Sequence, residues 1–240
     1  MEIGIIGFGQ MGQFLARHLK AAHHVAAADR TDRSVQAKEE GIDFVSLHEA
    51  ASKDIVLLAV PTSELRTVLA AIQPALGKDA IVIDVCSVKV LPCSLMKEML
   101  PHNDVIGTHP LFGPQSGRNG ILGLKIVVCP ARASNESVEK VKAIFITLGL
   151  QILEATPEEH DKAMATAHAL MHFMAKGMMH TGLQDNQIKI SALDKALELM
   201  DIFRDDSEQL FRDVQNFNPY AKDMRNRFIK ELQEIDSTLQ

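Results

Sequence analysis

Ile3-Gly4-Ile5-Ile6-Gly7-Phe8-Gly9-Gln10-Met11-Gly12 opens the chain with a β-branched run leading directly into G-x-G-x-x-G. The residues after it, Gln10 to Lys20, carry Met11, Phe14, Leu15 and Leu19 at helical spacing. A strand, a glycine-rich turn and a helix in that order give the glycines distinct tasks. Gly7 permits the tight turn, Gly9 lets a pyrophosphate approach the backbone, and Gly12 lets the helix pack close to the strand. The helix N-terminus then faces the phosphates. A glycine-rich turn without a ligand is the alternative, and the flanking strand and helix argue against it. Phe8, Gln10 and Met11 complete the expected cofactor-binding turn.

Outward from that turn, strand-like and helix-like segments alternate. Val25–Ala28, Ile55–Val60, Ala80–Val85, Val105–Gly107 and Ile126–Cys129 read as strands. Leu65–Leu76, Leu91–Leu100 and Ser137–Leu148 read as helices. Continuous apolar strands separated by helices predict a parallel sheet covered on both faces. After Ile152 the pattern becomes helical. Thr156-Pro157-Glu158-Glu159 starts a helix, with Thr156 as cap and Pro157 in the first turn. Ser191–Phe203, Ser207–Phe217 and a segment from Asn218-Pro219 onward follow. The expected architecture is α/β: a Rossmann-type, doubly wound, mostly parallel sheet over 1–152, then an all-α substrate and dimerisation domain over 153–240. Seven of the eleven methionines lie in the helical part, as filler for a core or a subunit interface. A homodimer through that part is expected.

Composition narrows the function classes. The 240 residues are 46% hydrophobic with a net charge of −6, enough for a sizeable core and no basic patch for nucleic acid. The longest apolar run, Ile55 to Pro61, is far short of the ~20 residues that span a bilayer, so no membrane is expected. Cys86, Cys93 and Cys129 form no C-x-x-C pair. An odd number of cysteines and no apolar leader before the first strand lead us to expect a reducing, cytoplasmic setting.

The second strand runs into Asp29-Arg30-Thr31-Asp32-Arg33. An acid here accepts hydrogen bonds from the ribose of NAD, whereas an arginine holds the extra phosphate of NADP. Asp29 favours NAD; Arg30 and Arg33 keep NADP open. Two further segments follow strands: Asp84-Val85-Cys86-Ser87-Val88-Lys89, and Gly107-Thr108-His109-Pro110-Leu111-Phe112-Gly113-Pro114-Gln115-Ser116-Gly117. Ligands of doubly wound sheets sit at the carboxyl ends of strands. His109, in a proline-restricted loop there, is the natural group to take a proton from an alcohol as hydride leaves. Ser87 can hold its imidazole in the right tautomer. In the helical part, His168 and His172 share a helix face at i and i+4. Metal binding is not expected of them, because there is no H-E-x-x-H and no third ligand in sequence reach.

With these segments in view, the chain resembles the prephenate/arogenate dehydrogenase family of tyrosine biosynthesis, nearest its plant-type arogenate branch. The resemblance covers nearly the whole chain. It rests on Gly7-Phe8-Gly9-x-x-Gly12-Gln13-Phe14-Leu15-Ala16, Asp84-Val85-x-Ser87-Val88-Lys89, Thr108-His109-Pro110-Leu111-Phe112-Gly113-Pro114, Glu159-His160-Asp161 and Asn218-Pro219-Tyr220. The His-Pro-x-Phe-Gly-Pro loop is its most specific element. The resemblance implies NAD(P)-dependent oxidative decarboxylation of arogenate or prephenate, arogenate slightly favoured. It makes His109 the base and Ser87 its hydrogen-bonding partner, with Ser87 touching cofactor and substrate alike. Gln115 and Ser116 line the pocket, and the strand end Ala59-Val60-Pro61-Thr62 lies near the nicotinamide. The family places a substrate-binding histidine in the helical domain, best matched by His172, which leaves His168 to packing.

Asp206 matches an acid of arogenate-preferring relatives, and a carboxylate there would attract the substrate amine. The competing reading is that Asp205 and Asp206 cap the helix beginning near Ser207. The family's substrate-carboxylate arginine has no clear counterpart. Arg204, Arg212 and Arg225 are candidates, and Arg212 is preferred. No additional C-terminal regulatory domain is expected, so inhibition by tyrosine would be competitive at the active site. Two rivals remain on sequence grounds: a β-hydroxyacid dehydrogenase or imine reductase of the same plan, and a non-catalytic dinucleotide sensor.

Overall fold

The apolar runs assemble into one sheet. In the computed structural model, which describes residues 1–239, its strands are β1 (Glu2–Ile6), β2 (His24–Ala28), β3 (Asp43–Phe44), β4 (Ile55–Leu58), β5 (Ile81–Asp84), β6 (Asp104–Pro110), β7 (Lys125–Arg132) and β8 (Gln151–Glu154). Their order is β3-β2-β1-β4-β5-β6-β7-β8. All neighbours are parallel except β6 and β7. The helices between them are α1 (Gln10–Leu19), α2 (Ser34–Glu39), α3 (Leu47–Ala51), α4 (Leu65–Ile72), α5 (Val90–Met99) and α6 (Asn135–Thr147).

Alternation along each strand builds two cores. Ile3, Ile5, Ile55, Leu57, Ile81 and Ile83 face one layer with Phe14, Leu15 and Leu19 of α1 and Val141, Ile144 and Phe145 of α6. Ile6, Val56, Leu58 and Val82 face the other, with Leu65, Leu69 and Ile72 of α4 and Cys93, Leu95 and Met96 of α5. The sheet is therefore doubly wound, as expected. The strand order reverses direction at β1 and β4, which creates the crevice where such folds bind ligands.

The chain divides into Met1–Glu158 and Glu159–Gln240. The boundary expected at 152/153 falls inside β8, a strand the sequence pattern did not reveal. β8 is short and largely exposed, so it carries no apolar signature. The elements α2, β3 and α3 were also unforeseen, for similar reasons of length. β6 runs farther than Val105–Gly107, because its last residues pair with β7.

The second unit is helical: α7 (Pro157–Met164), a π-helical segment (Ala165–Leu170), α8 (Met171–His180), α9 (Ser191–Phe203), α10 (Glu208–Phe217) and α11 (Ala221–Ser237). Its buried apolar cluster is small, centred on Ala169, Val214 and Ala221. Buried polar groups help hold it. Asn218 Nδ2 donates to the Asp161 carbonyl (2.8 Å), and Asn218 Oδ1 accepts from Tyr220 N–H (2.9 Å), which ties the start of α11 to α7. A π-helix is rare and occurs mostly as a single-turn bulge within an α-helix, frequently at functional sites. Here the Ala169 carbonyl accepts from Gln215 Nε2 at 2.7 Å. Among the described residues no helix is long and apolar enough to cross a membrane.

Candidate active site

Register brings the strand ends of the first unit to one level. Ile6 pairs with Ala28 and Leu58, Leu58 with Asp84, and Asp84 with Gly107. Gly7, Asp29, Ala59, Ser87 and His109 therefore share the carboxyl edge of the sheet.

The glycine turn meets the geometric demands placed on it. Gly7 has φ of +96°, and a Cβ there would lie 2.4 Å from the Ala59 carbonyl oxygen. A Cβ on Gly12 would lie 2.0 Å from the Gly7 oxygen, so only glycine lets α1 approach β1 this closely. A Cβ on Gly9 meets nothing within 4 Å. That open space lies over the first turn of α1, whose N-cap Gly9 offers no side-chain bond. Room and free N–H donors together fit a dinucleotide phosphate. Phe8 is buried rather than facing that space. Gln10 and Met11 begin α1, and Gln13 Nε2 returns to the Phe8 carbonyl at 2.8 Å.

Asp29 anchors the turn from β2. Its carboxylate accepts from Phe8 N–H (2.7 Å) and Thr31 N–H (2.9 Å). A carboxylate offers about four acceptor positions, so capacity for a ribose hydroxyl remains. Arg30 extends into solvent and pairs with Glu64 at 3.5 Å. Val60 lies beyond β4, and its carbonyl accepts from the Cys86 thiol at 3.7 Å. Pro61 leads into a short 3-10 turn beginning at Thr62. Burial, reinforced by the Asp84 carboxylate, pushes the Cys86 thiol up, so it stays a neutral thiol.

One network was not legible beforehand, although its residues lay in a quoted motif. Lys89 and Asp84 are both fully buried and form an ion pair. Lys89 Nζ also donates to the Thr108 carbonyl (2.6 Å), Thr108 Oγ1 to the Asp84 carbonyl (2.5 Å), and Cys86 N–H to Asp84 Oδ2 (2.9 Å). Burial opposes the Lys89 charge, but the Asp84 carboxylate, aided by Cys86 and Cys93, holds the pKa above its ordinary value. The pair thus clamps the turn carrying Ser87 to the strand carrying His109.

His109 itself lies within β6, paired with Val127, and is 6% exposed. The expectation of a proline-restricted loop position is corrected: Pro110 is the last residue of the strand, where its missing N–H is tolerated. Ser87 is half-buried just past β5. Gln115 and Ser116 lie in the following turn. Ser116 Oγ accepts from Gly113 N–H at 2.9 Å, so this hydroxyl shapes its own turn. Phe112 packs edge-on against Phe14 of α1 (6.2 Å between centroids), which pins the segment beside the glycine turn.

The second unit gathers a different set. The His168 and His172 rings are stacked 6.0 Å apart, and Phe203 stacks on His172 at 4.5 Å. His172 Nδ1 lies 3.9 Å from Asp206 Oδ2. Burial first, then His168, pushes His172 down to about 4. Burial first, then His160, does the same to His168. Burial and Asp205 push Asp206 up to about 6. The helix-cap reading of Asp205 and Asp206 is corrected: Ser207 is the cap of α10, its hydroxyl accepting from Leu210 N–H at 3.1 Å. No third ligand lies near His168 and His172 in sequence, but the fold brings Asp206, remote in sequence, to within 4.8 Å of both. Of the arginine candidates, Arg225 is committed to the Gln215 carbonyl and Oε1 (3.0 and 2.6 Å), and Arg204 pairs with Asp201 at 2.7 Å. Arg212 is exposed.

Two family models match the chain. Residues 15–154 match the prephenate dehydrogenase nucleotide-binding domain, and residues 156–240 the prephenate dehydrogenase dimerization domain. The chain is 29% identical over 250 residues to arogenate dehydrogenase 2, chloroplastic, of Arabidopsis thaliana, covering all of this chain and 70% of that protein. It is also 29% identical to arogenate dehydrogenase 1, chloroplastic, of the same plant, of which it spans 39%. Its fold resembles that of prephenate dehydrogenase from A. aeolicus in complex with hydroxyphenyl propionate and NAD+, with a TM-score of 0.78 at 20% identity over 99% of this chain and 90% of that one.

Proposed function

This chain belongs to the prephenate dehydrogenase family, and on that premise we propose that it oxidatively decarboxylates arogenate to tyrosine, and prephenate to 4-hydroxyphenylpyruvate less readily. The observation that carries the reading is the shared sheet edge of the Gly9 cradle, Ser87 and His109, clamped beneath by Lys89 and Asp84.

The nicotinamide, when bound, supplies the hydride acceptor. His109 takes the proton of the ring hydroxyl at an imidazole nitrogen as hydride departs from the same carbon. Carbon dioxide then leaves, its bonding electrons stay in the ring, and the ring becomes aromatic. The imidazolium returns its proton to the phenol oxygen. Ser87 orients the imidazole, and burial of His109 limits competition from bulk water. Gln115 and Ser116 line the approach to His109. In the helical unit we assign the substrate ammonium to Asp206 and a further substrate contact to His172. Arg212, exposed and without a main-chain commitment such as that of Arg225, is assigned to a substrate carboxylate.

NAD is the assigned cofactor. Asp29 is held as a carboxylate acceptor at the end of β2, where it repels a 2′-phosphate, while Arg30 turns to Glu64. The relative from A. aeolicus is described with NAD+. A homodimer is supported by the match to a dimerization domain and by Ile229, Leu232 and Ile235, which are exposed on α11. Tyrosine is assigned as a competitive inhibitor by its likeness to the substrate.

The test is reduced-nicotinamide absorbance with arogenate or prephenate against NAD or NADP. Fastest turnover with arogenate and NAD is expected. No turnover in any combination, with cofactor binding demonstrated, would overturn the reading.

A further inference from the structure

We infer that His168, His172 and Asp206 form a binding site for a divalent transition-metal ion. Their candidate ligand atoms all lie within 4.8 Å of one another. His172 is 2% exposed, and its Nδ1 has no hydrogen-bond partner. That nitrogen faces Asp206 Oδ2 across 3.9 Å. The gap is too wide for a direct hydrogen bond, which needs about 2.7–3.2 Å. It suits an intervening ion, because zinc sits about 2.0–2.1 Å from nitrogen and about 2.0–2.2 Å from carboxylate oxygen.

The surroundings favour the same occupant. Phe203 stacks on both imidazoles (4.5 and 5.9 Å), and Phe211 meets His172 edge-on at 5.0 Å. Phe203 thereby covers two imidazole planes that lie within 6° of parallel. His168 belongs to the π-helical segment and His172 to the first turn of α8. Asp206 lies on the short connection between α9 and α10 with a side chain 30% exposed, so it is the ligand free to adjust. Lys176 is the nearby opposing charge, and its ion pair with Glu208 offsets it.

Two imidazoles and one carboxylate select Zn²⁺, Co²⁺ or Ni²⁺ over Mg²⁺ or Ca²⁺. Three protein ligands leave a coordination position open to water or an added ligand. The inference stands apart from the dehydrogenase reading. If both hold, an ion at this site competes with substrate for Asp206 and His172.

The experiment uses the full chain, free of any affinity tag, without cofactor or substrate. Zn²⁺ is titrated by calorimetry and Co²⁺ by visible absorption. One ion per chain is expected, with cobalt ligand-field bands of a low-coordinate site. Removing an outer-sphere partner of a metal ligand typically costs about 10–100-fold in affinity. His168→Gln, His172→Gln and Asp206→Asn should each cost at least that, while His48→Gln, at an exposed position, should change nothing. Asp206→Asn, at a half-buried position, provides a variant that keeps its fold if His172→Gln does not. Absence of binding to the unmodified chain, or binding that all three variants leave intact, would overturn the site.

Discussion

The carboxyl edge of the sheet and the histidine cluster of the helical unit solve opposite problems with buried polar groups. At the sheet edge, Lys89 finds Asp84 and the Thr108 carbonyl within the chain, and Thr108 and Cys86 close the circuit. In the helical unit, His172 Nδ1 has no partner, and the nearest carboxylate stands 3.9 Å away. A buried charge pair satisfied internally ties local geometry to global stability. A buried polar atom without a partner costs free energy that an incoming ligand can recover. The first arrangement is a prepared scaffold, and the second is the one we propose as a receptor.

The largest test of that contrast removes chemistry from the scaffold without disturbing it. His109→Asn should lower kcat by about 10²–10⁴-fold, the usual contribution of a general base. Cofactor affinity, read by fluorescence titration, should stay unchanged; a parallel loss of affinity would show that His109 supports the fold instead. Next, Lys89→Met leaves the Asp84 carboxylate buried and unpaired, at a cost of about 3–5 kcal/mol in urea unfolding. The double variant Lys89→Met with Asp84→Asn should regain much of that stability but not turnover, because the clamp on Ser87 and His109 is still missing. Full recovery of turnover would make the pair a stability device alone.

On the receptor side, Asp206→Asn should shift the preference between arogenate and prephenate by roughly ten- to a hundredfold, the ~1.5–3 kcal/mol of a charged hydrogen bond. Its unfolding midpoint should barely move, since Ser207 rather than Asp206 caps α10. An unchanged ratio of kcat/KM values would remove Asp206 from recognition. The smallest effect expected is at the glycine turn. Gly9→Val should weaken cofactor binding by at least about tenfold, ~1.4 kcal/mol, with no loss of stability, because its Cβ enters open space. Gly12→Val should do the reverse and destabilise, because its Cβ would meet the Gly7 oxygen at 2.0 Å.

Much of the first unit was legible because its signals are local. A buried parallel strand must be apolar along its length, and a turn from strand into phosphate-binding helix must be rich in glycine. Signals failed where elements were too short to carry a period, as in β3 and β8. They also failed where pairing partners lay elsewhere: β6 extends through His109 and Pro110 because β7 returns alongside it, although proline reads as a strand's end. Charge misleads in the same way. Lysine is almost never fully buried without a partner, and nothing local announces that Asp84 and Thr108 will surround Lys89.

The sequence by itself determined the doubly wound sheet, the glycine cradle and the helical second unit, because steric and hydrophobic periodicity act between residues a few positions apart. Only the tertiary structure decided what His109, Lys89 and Asp206 stand beside. The i and i+4 spacing of His168 and His172 follows from one helix, but their carboxylate neighbour arrives from the far end of α9. Helix packing brings that neighbour in, and no pattern in the residues around either histidine encodes it.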